Sequence, residues 1–419
     1  MSLLISPSSD YQRQLYDKTK DRTNKWIAPS RSELTNLLLS PTPEMTLANL
    51  LASQLALTQL SPYQLGGGVN REAIFFGRQE IIVHIMNRDP ANYLIVSGRQ
   101  LGKSSLLKAL ERRYAEQPDV ACFYLGLSSE VLVPRLASAM GLSHEAGLEE
   151  IAAYVANMDR RCLFLIDEAD IFIRHELENA YRTLEALRRM SEEGHCNFIL
   201  AGFWELYEQA VLDYRSPLKN FAEIVQLGAL EADACRELAI KPMQTMRLEY
   251  ADAALVEQLL DATGQRANLM AIACHEILTQ LRPDERIITD EDVHRSLHSE
   301  AIFNALKGWD AMTDDKEACQ WDRLVVYSTI DKAPFDFAAL VALLHQHGVT
   351  PDGSAIEHSL ARLELGFVLG RDDQRRYVYR VPLFREWILQ DSPQAKLKVE
   401  VNSWRLSQIK SKSPAESLD

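Results

Sequence analysis

Gly102-Lys103-Ser104 stands between an apolar run, Tyr93-Leu-Ile-Val-Ser97, and an amphipathic one that opens Ser105-Leu-Leu-Lys-Ala-Leu. A strand that enters a tight turn and leaves it as a helix aims several backbone N–H groups at one point, and the helix dipole favours negative charge there. The chemistry this permits is the holding of a polyphosphate. Lys103 is placed to reach the β- and γ-phosphates of ATP, and the Ser104 hydroxyl to ligate Mg²⁺. The cradle runs from Ser97 through Gly98, Arg99, Gln100 and Leu101 to Gly102-Lys103-Ser104-Ser105. Ser97 stands where the usual spacing has glycine, and Gly98 beside it is expected to supply the slack of the turn.

A second run, Arg161-Cys-Leu-Phe-Leu-Ile-Asp167-Glu168, is continuously apolar and ends in two acids. A run without alternation reads as a strand covered on both faces, and its acids then lie at the carboxyl end of a parallel sheet, where such sheets bind ligands. Asp167 is expected to hold Mg²⁺ through water, and Glu168 to orient and deprotonate the attacking water. Asp170 reads as a helix cap.

The elements that must position these groups follow from the pattern. Strands are expected at 93–97, 120–125, 162–166, 197–201 and 223–227, with helices between them such as 176–193. That alternation implies an α/β fold, a five-stranded parallel sheet of the P-loop NTPase type over 71–230. Residues 231–299 read as a helical lid, and 300–321 as a connector of mixed charge. Residues 322–391 read as a winged helix of three helices and a hairpin, and 392–419 as a polar, mobile tail. Ahead of the sheet, 1–70 reads as a polar arm followed by an amphipathic helix at 46–60 and a flexible Gly66-Gly67-Gly68 break. The arm is the expected contact for a protein partner.

Composition narrows the class. Of 419 residues, 47% are hydrophobic and 25% charged, and the formal net charge is −14, which gives no support to non-specific nucleic-acid binding by the whole surface. Apolar runs are too short to span a membrane, and the N-terminus shows no secretory pattern. Six dispersed cysteines without a paired spacing fit a reducing, cytoplasmic compartment. His345 and His347 lack acids or thiols nearby, sit at a helix end and are not expected to bind metal.

Several segments, in order, resemble the signal-transduction ATPases with numerous domains (the STAND class) in their AAA-like, archaeal-ATPase branch. They are Phe75-Phe-Gly77-Arg78-Gln-Glu80, the loop from Ser97, Asn197-Phe-Ile-Leu-Ala-Gly-Phe203, Ser216-Pro-Leu-Lys-Asn-Phe, and Arg380-Val-Pro-Leu-Phe-Arg-Glu-Trp-Ile388. The resemblance implies an AAA-like core, lid and winged helix, with Gly77 and Arg78 against the adenine and ribose. It also implies that Arg266 in Gly264-Gln-Arg266-Ala267 is a lid arginine for the phosphates, and that Arg215 serves a neighbour's nucleotide in a nucleotide-dependent homo-oligomer. The polar sensor often found after the fourth strand is missing from Ala201-Gly202-Phe203.

The third helix of the winged unit carries Glu357, His358, Arg362 and Glu364, and 354–390 holds six arginines against five acids. Such a surface suits a latch on the core better than a duplex, which requires several uncompensated cations. The expected activity is therefore a slowly hydrolysing ATP switch controlling assembly or partner activation. A DNA-associated ATPase like the replication or transposition regulators is the alternative, and a nucleotide-stabilised scaffold a third.

Overall fold

Both faces of the apolar runs are covered, and this is why they carry no alternation. The computed structural model describes residues 2–3, 26–43, 46–47, 50–51, 61–64, 66–87, 91–128, 131–282, 285–350 and 352–412. Five strands pair in parallel: β1 (Tyr93–Val96), β2 (Val120–Gly126), β3 (Arg161–Asp167), β4 (Cys196–Gly202) and β5 (Glu223–Gln226). Their order is β2-β3-β4-β1-β5. Leu94, Val96, Phe164, Ile166, Phe198 and Leu200 enter one core. Their sequence neighbours Tyr93, Ile95, Leu163, Leu165, Ile199 and Ala201 enter a second core on the opposite face. On the first face Phe123, Phe164 and Phe198 stack across three strands at 5.3 and 5.4 Å between centroids. Each large apolar side chain so buried contributes about 1.5–3 kcal/mol.

The strand order decides where chemistry can occur. β4 lies between β1 and β3, so residues just after β4 stand between the phosphate loop and the acids that end β3. The loop after β1 leads into α1 (Lys103–Tyr114), and β3 leads into α2 (Ala169–Glu178). The helix expected at 176–193 is two, because the chain breaks at Ala180 and Tyr181, both left-handed with φ 54° and 57°. Buried Glu176 holds the break by accepting the Leu184 N–H at 2.9 Å, so Arg182–Glu192 starts on a cap borrowed from the preceding helix. After β4 comes the short α3 (Trp204–Tyr207).

The lid comprises α4 (Ala232–Thr245), a helix at Ala254–Thr263, α5 (Ala267–Gln280) and a helix at Asp290–Leu297. The last begins at a capping box, Thr289 with Asp292. Two short strands, Glu249–Tyr250 and Ile287–Ile288, pair in parallel within it. The stretch at 300–321 is partly helical, with Glu300–Leu306 and the first turns of α6 (Lys316–Thr329). α7 (Phe337–Gln346) and α8 (Gly353–Leu365) follow, then an antiparallel hairpin of β6 (Leu369–Arg371) and β7 (Tyr377–Tyr379). This is the three-helix and hairpin order expected of a winged helix. α9 (Pro382–Gln390) closes it.

The expectation for the C-terminus changes. The stretch read as a polar tail from 392 is a helix, α10 (Pro393–Lys412), as far as the described residues go. Leu397, Val401 and Trp404 form a buried stripe on it, with Trp404 edge-on to Trp321 of α6 at 6.3 Å and Glu400 paired with Arg323 at 2.8 Å. The stripe has helical spacing but sits among polar residues that hide it. The amphipathic helix expected at 46–60 lies mostly outside the described residues, as does most of the preceding arm.

The C-terminal unit is fastened to the sheet domain by a buried charge. Asp322 of α6 accepts from Arg362 Nε at 2.7 Å and Nη2 at 2.8 Å, and from the Ser359 hydroxyl at 2.7 Å. Arg362 is 2% exposed and Asp322 fully covered. The guanidinium lies 4.7 Å over the ring of Trp204, which belongs to α3 of the core. Burial raises the proton affinity of the Asp322 carboxyl, and Arg362 opposes that. Asp322→Ala leaves a buried cation unpaired and is expected to cost about 3–5 kcal/mol in a denaturant titration, with Arg362→Met in the same chain recovering most of it.

Candidate nucleotide-binding site

The phosphate loop is built from backbone geometry. Ser97 is fully buried; its N–H extends the sheet to Gly202 O at 3.2 Å and its hydroxyl donates to Gly98 O at 3.3 Å. The turn is made further on, at Gln100 with φ 63° and Gly102 with φ 96°. Gly102 is where glycine is needed for conformation. Gly98 is not the source of slack expected of it. Its N–H donates to Leu365 O at the end of α8 at 2.8 Å, and a Cβ there would stand 2.9 Å from the Gly366 Cα. Lys103 Nζ folds back onto the loop, donating to Ser97 O and Gly98 O at 2.9 Å each. Burial lowers its pKa, and Asp170, Glu168 and Asp167 counter that.

The acids after β3 occupy different environments. Asp167 is 3% exposed and is held by the Tyr124 hydroxyl at 2.9 Å and the Glu168 N–H at 3.0 Å. Glu168 is left-handed at φ 58° and lines the cleft, and desolvation followed by the charge of Asp167 raises its pKa. Asp170 does not cap its own helix. It accepts the N–H groups of Phe203 at 2.7 Å and Leu206 at 3.1 Å, and so fixes the start of α3 behind the end of β4.

The loop from Arg99 to Ser105, Glu168 and Asp170 line a cleft of about 560 Å³, a size suited to a nucleotide, while Ser97, Gly98 and Asp167 lie behind its surface. Its apolar end is formed by Tyr63, Phe75, Phe76, Leu238 and Pro242. Residues 62–64 and 66–69, read from sequence as the end of the N-terminal segment, run along this wall. Val69 N–H donates to the Ser105 hydroxyl at 3.0 Å, and Lys108 Nζ to Gly68 O at 3.2 Å, so the glycine run is tied down on α1. Arg78 is buried with its guanidinium on Gly228 O, Ala229 O and Leu101 O at 2.7, 2.8 and 3.4 Å, and its N–H on Glu231 at 3.1 Å. Beside Gly77, it clamps the chain entering the lid to the phosphate loop.

Arg266 donates to Arg99 O at 2.9 Å and Asn268 to the Gln100 side chain at 2.8 Å, so the lid grips the same loop. Burial brings the Arg266 pKa down to about 10. Arg215 lies apart: it is exposed, is not among the residues lining the cleft, and meets Asp213 through its N–H at 2.8 Å rather than through an ion pair. Among the described residues no cluster of three metal-ligating side chains occurs.

Two lining residues escaped the sequence reading. Glu205, in α3, follows the end of β4, and Arg174, on the Asp170-Ile171 face of α2, pairs with it at 3.4 Å and with Asp314 at 3.0 Å. Topology alone brings them together; the signal available in the sequence was the Trp204-Glu205 pair just past a strand end. Desolvation and then Asp170 push the Glu205 carboxyl up to about 7. The folded protein thus holds this proton more tightly than the unfolded chain does, and stability falls as pH rises from the ordinary carboxyl range to about 7. Glu205→Gln removes that penalty. Its thermal midpoint relative to the parent is expected to improve between pH 5 and pH 8, by roughly 1–3 kcal/mol in stability.

A parallel sheet of this order, a phosphate loop after its first strand and an acid pair at the end of β3 define an AAA-like P-loop NTPase. The model of the family Novel STAND NTPase 1 matches residues 60–293, from the segment that walls the cleft to the last lid helix, and the chain belongs to that family. The structure is similar to a Walker-type ATPase of Pyrococcus abyssi, with TM-score 0.57 and 16% identity over 77% of this chain and 98% of the other. It is also similar to the ORC2 protein of Aeropyrum pernix in ADPNP–ADP complexes, with TM-score 0.51 and 13% identity over 82% of this chain and 100% of the other. Both show the fold. No curated protein matches the chain. Among the described residues no helix is long and apolar enough to cross a membrane.

Proposed function

We propose that the chain is an ATP-operated switch whose C-terminal unit reports the state of the phosphate loop. The observation that carries this is the hydrogen bond from Gly98 N–H to Leu365 O, which places the end of α8 directly on the loop. ADP is accommodated in the closed arrangement, and ATP favours release of α8, because only differential contacts with two states can shift a population between them. Lys103 leaves the Ser97 and Gly98 carbonyls for the β- and γ-phosphates, which repay its desolvation. Arg266 and Asn268 carry the lid with the loop.

The residues fit Mg²⁺: the Ser104 hydroxyl and the buried Asp167 carboxylate, aimed by Tyr124, offer the hard oxygen ligands the ion prefers. Bound there, Mg²⁺ supplies charge neutralisation to the phosphates. Glu168, with its raised pKa, takes the proton of the attacking water, and hydrolysis resets the switch slowly. Opening exposes surfaces for assembly, with exposed Arg215 reaching a neighbouring copy, or for a protein partner at the N-terminal arm. Association with DNA is the alternative that the three-helix and hairpin order suggests. The burial of Arg362 and the packing of His358 edge-on to Trp204 weigh against it, because α8, the helix that would enter a groove, is turned inward.

The test combines nucleotide binding, Mg²⁺-dependent phosphate release and mass by light scattering. Lys103→Ala is expected to lose nucleotide binding. Glu168→Gln is expected to bind ATP and lose at least about 100-fold in turnover, and to accumulate the state that the parent reaches with a non-hydrolysable analogue. Normal hydrolysis by both variants would overturn the assignment. An unchanged mass with the analogue would place the output in a partner rather than in self-assembly. Salt-sensitive binding to duplex DNA would favour the alternative.

A further inference from the structure

We propose that Arg174 is the group that distinguishes a nucleoside triphosphate from a diphosphate in this site, and that it does so by exchanging Asp314 for the terminal phosphate. The inference rests on the nucleotide-switch reading above and names the residue that transmits it.

Among the described residues four cationic side chains line the cleft: Arg78, Arg99, Lys103 and Arg174. Arg78 is committed to three backbone carbonyls, and Lys103 and Arg99 belong to the phosphate loop itself. Arg174 alone projects from the opposite wall, on the helix that begins next to Glu168, and it is held there by two carboxylates. One, Glu205, follows β4 and therefore stands between the loop and the acids of β3. The other, Asp314, belongs to the connector that leads from the lid to the C-terminal unit.

This second partner is what gives the pair a consequence. Asp314 is 84% exposed and Arg174 42% exposed. An ion pair so open to water contributes little by itself, and it yields to a more highly charged oxyanion that offers bidentate contacts. Two residues before Asp314, Met312 packs against Gly366, and Gly366 lies on Gly98 of the phosphate loop. Releasing Asp314 therefore frees the same connector that braces the end of α8. A diphosphate, lacking the terminal group, leaves Arg174 with Asp314 and the connector fastened. Glu205 remains as the fixed partner that aims the guanidinium into the cleft.

The experiment is equilibrium binding of ADP and of a non-hydrolysable ATP analogue with Mg²⁺ to the full chain, for the parent, Arg174→Ala, Asp314→Asn and the double variant. Arg174→Ala is expected to weaken the analogue about tenfold or more while leaving ADP within about twofold. Asp314→Asn removes the competitor from an exposed position, where folding is not at stake. It is expected to tighten the analogue about two- to fivefold with ADP unchanged, and the gain should vanish when Arg174 is absent. Hydrogen exchange across 308–316 should rise with the analogue in the parent, and already with ADP in Asp314→Asn. Equal effects of Arg174→Ala on both nucleotides, or an Asp314→Asn gain that survives loss of Arg174, would overturn the assignment while leaving the nucleotide switch intact. A parent that binds neither nucleotide would overturn both.

Discussion

The structure depends on how closely two backbones meet at Gly98 and Gly366. A phosphate loop works only if its amides converge on an anion, so whatever touches that loop competes with the ligand or cooperates with it. Here the carbonyl of Leu365 takes the Gly98 N–H, a Cβ on Gly98 would run into the backbone of Gly366, and one on Gly366 would meet the Met312 sulfur. A helix ends in partial negative charge, and this one ends on the loop that must accept phosphates. The C-terminal unit is thereby made part of the nucleotide site although it is distant in sequence.

Three other joints keep that contact in place. Arg78 binds the carbonyls at the entrance of the lid and the loop carbonyl of Leu101. Arg266 and Asn268 close from the lid onto Arg99 and Gln100. The Asp322–Arg362 pair, stacked on Trp204, anchors α8 at its other side. A buried ion pair is weak evidence for stability, because desolvation consumes most of its Coulomb energy. Its value here is in orientation: it fixes which face of α8 meets the core, and that decides where Leu365 ends.

The acids show the same division between role and position. Asp167, Glu168 and Asp170 are neighbours in sequence, yet one is buried and hydrogen-bonded, one lines the cleft with raised proton affinity, and one holds the start of the next helix. Strand direction and the left-handed turn at Glu168 separate them.

Local chemistry was legible from the order of residues alone. Continuous apolar runs marked strands covered on both faces, Gly102-Lys103-Ser104 marked the phosphate loop, and Asp167-Glu168 marked the acid pair, because each depends on residues within one element and its turn. Tertiary structure decided everything that depends on strand order and on contacts between distant segments. Gly98 proved to be a docking point rather than the slack of the turn, since its partner is far away at Gly366. Residues 62–64 and 66–69 proved to be a wall of the cleft, since Gly68 and Val69 are tied to α1. Leu397, Val401 and Trp404 were hidden in a polar tail, because a stripe of three apolar residues has no meaning until α6 is beside it. Glu205 and Arg174 could not be read as a pair, because it is the place of β4 between β1 and β3 that brings the turn after one strand to the helix after another.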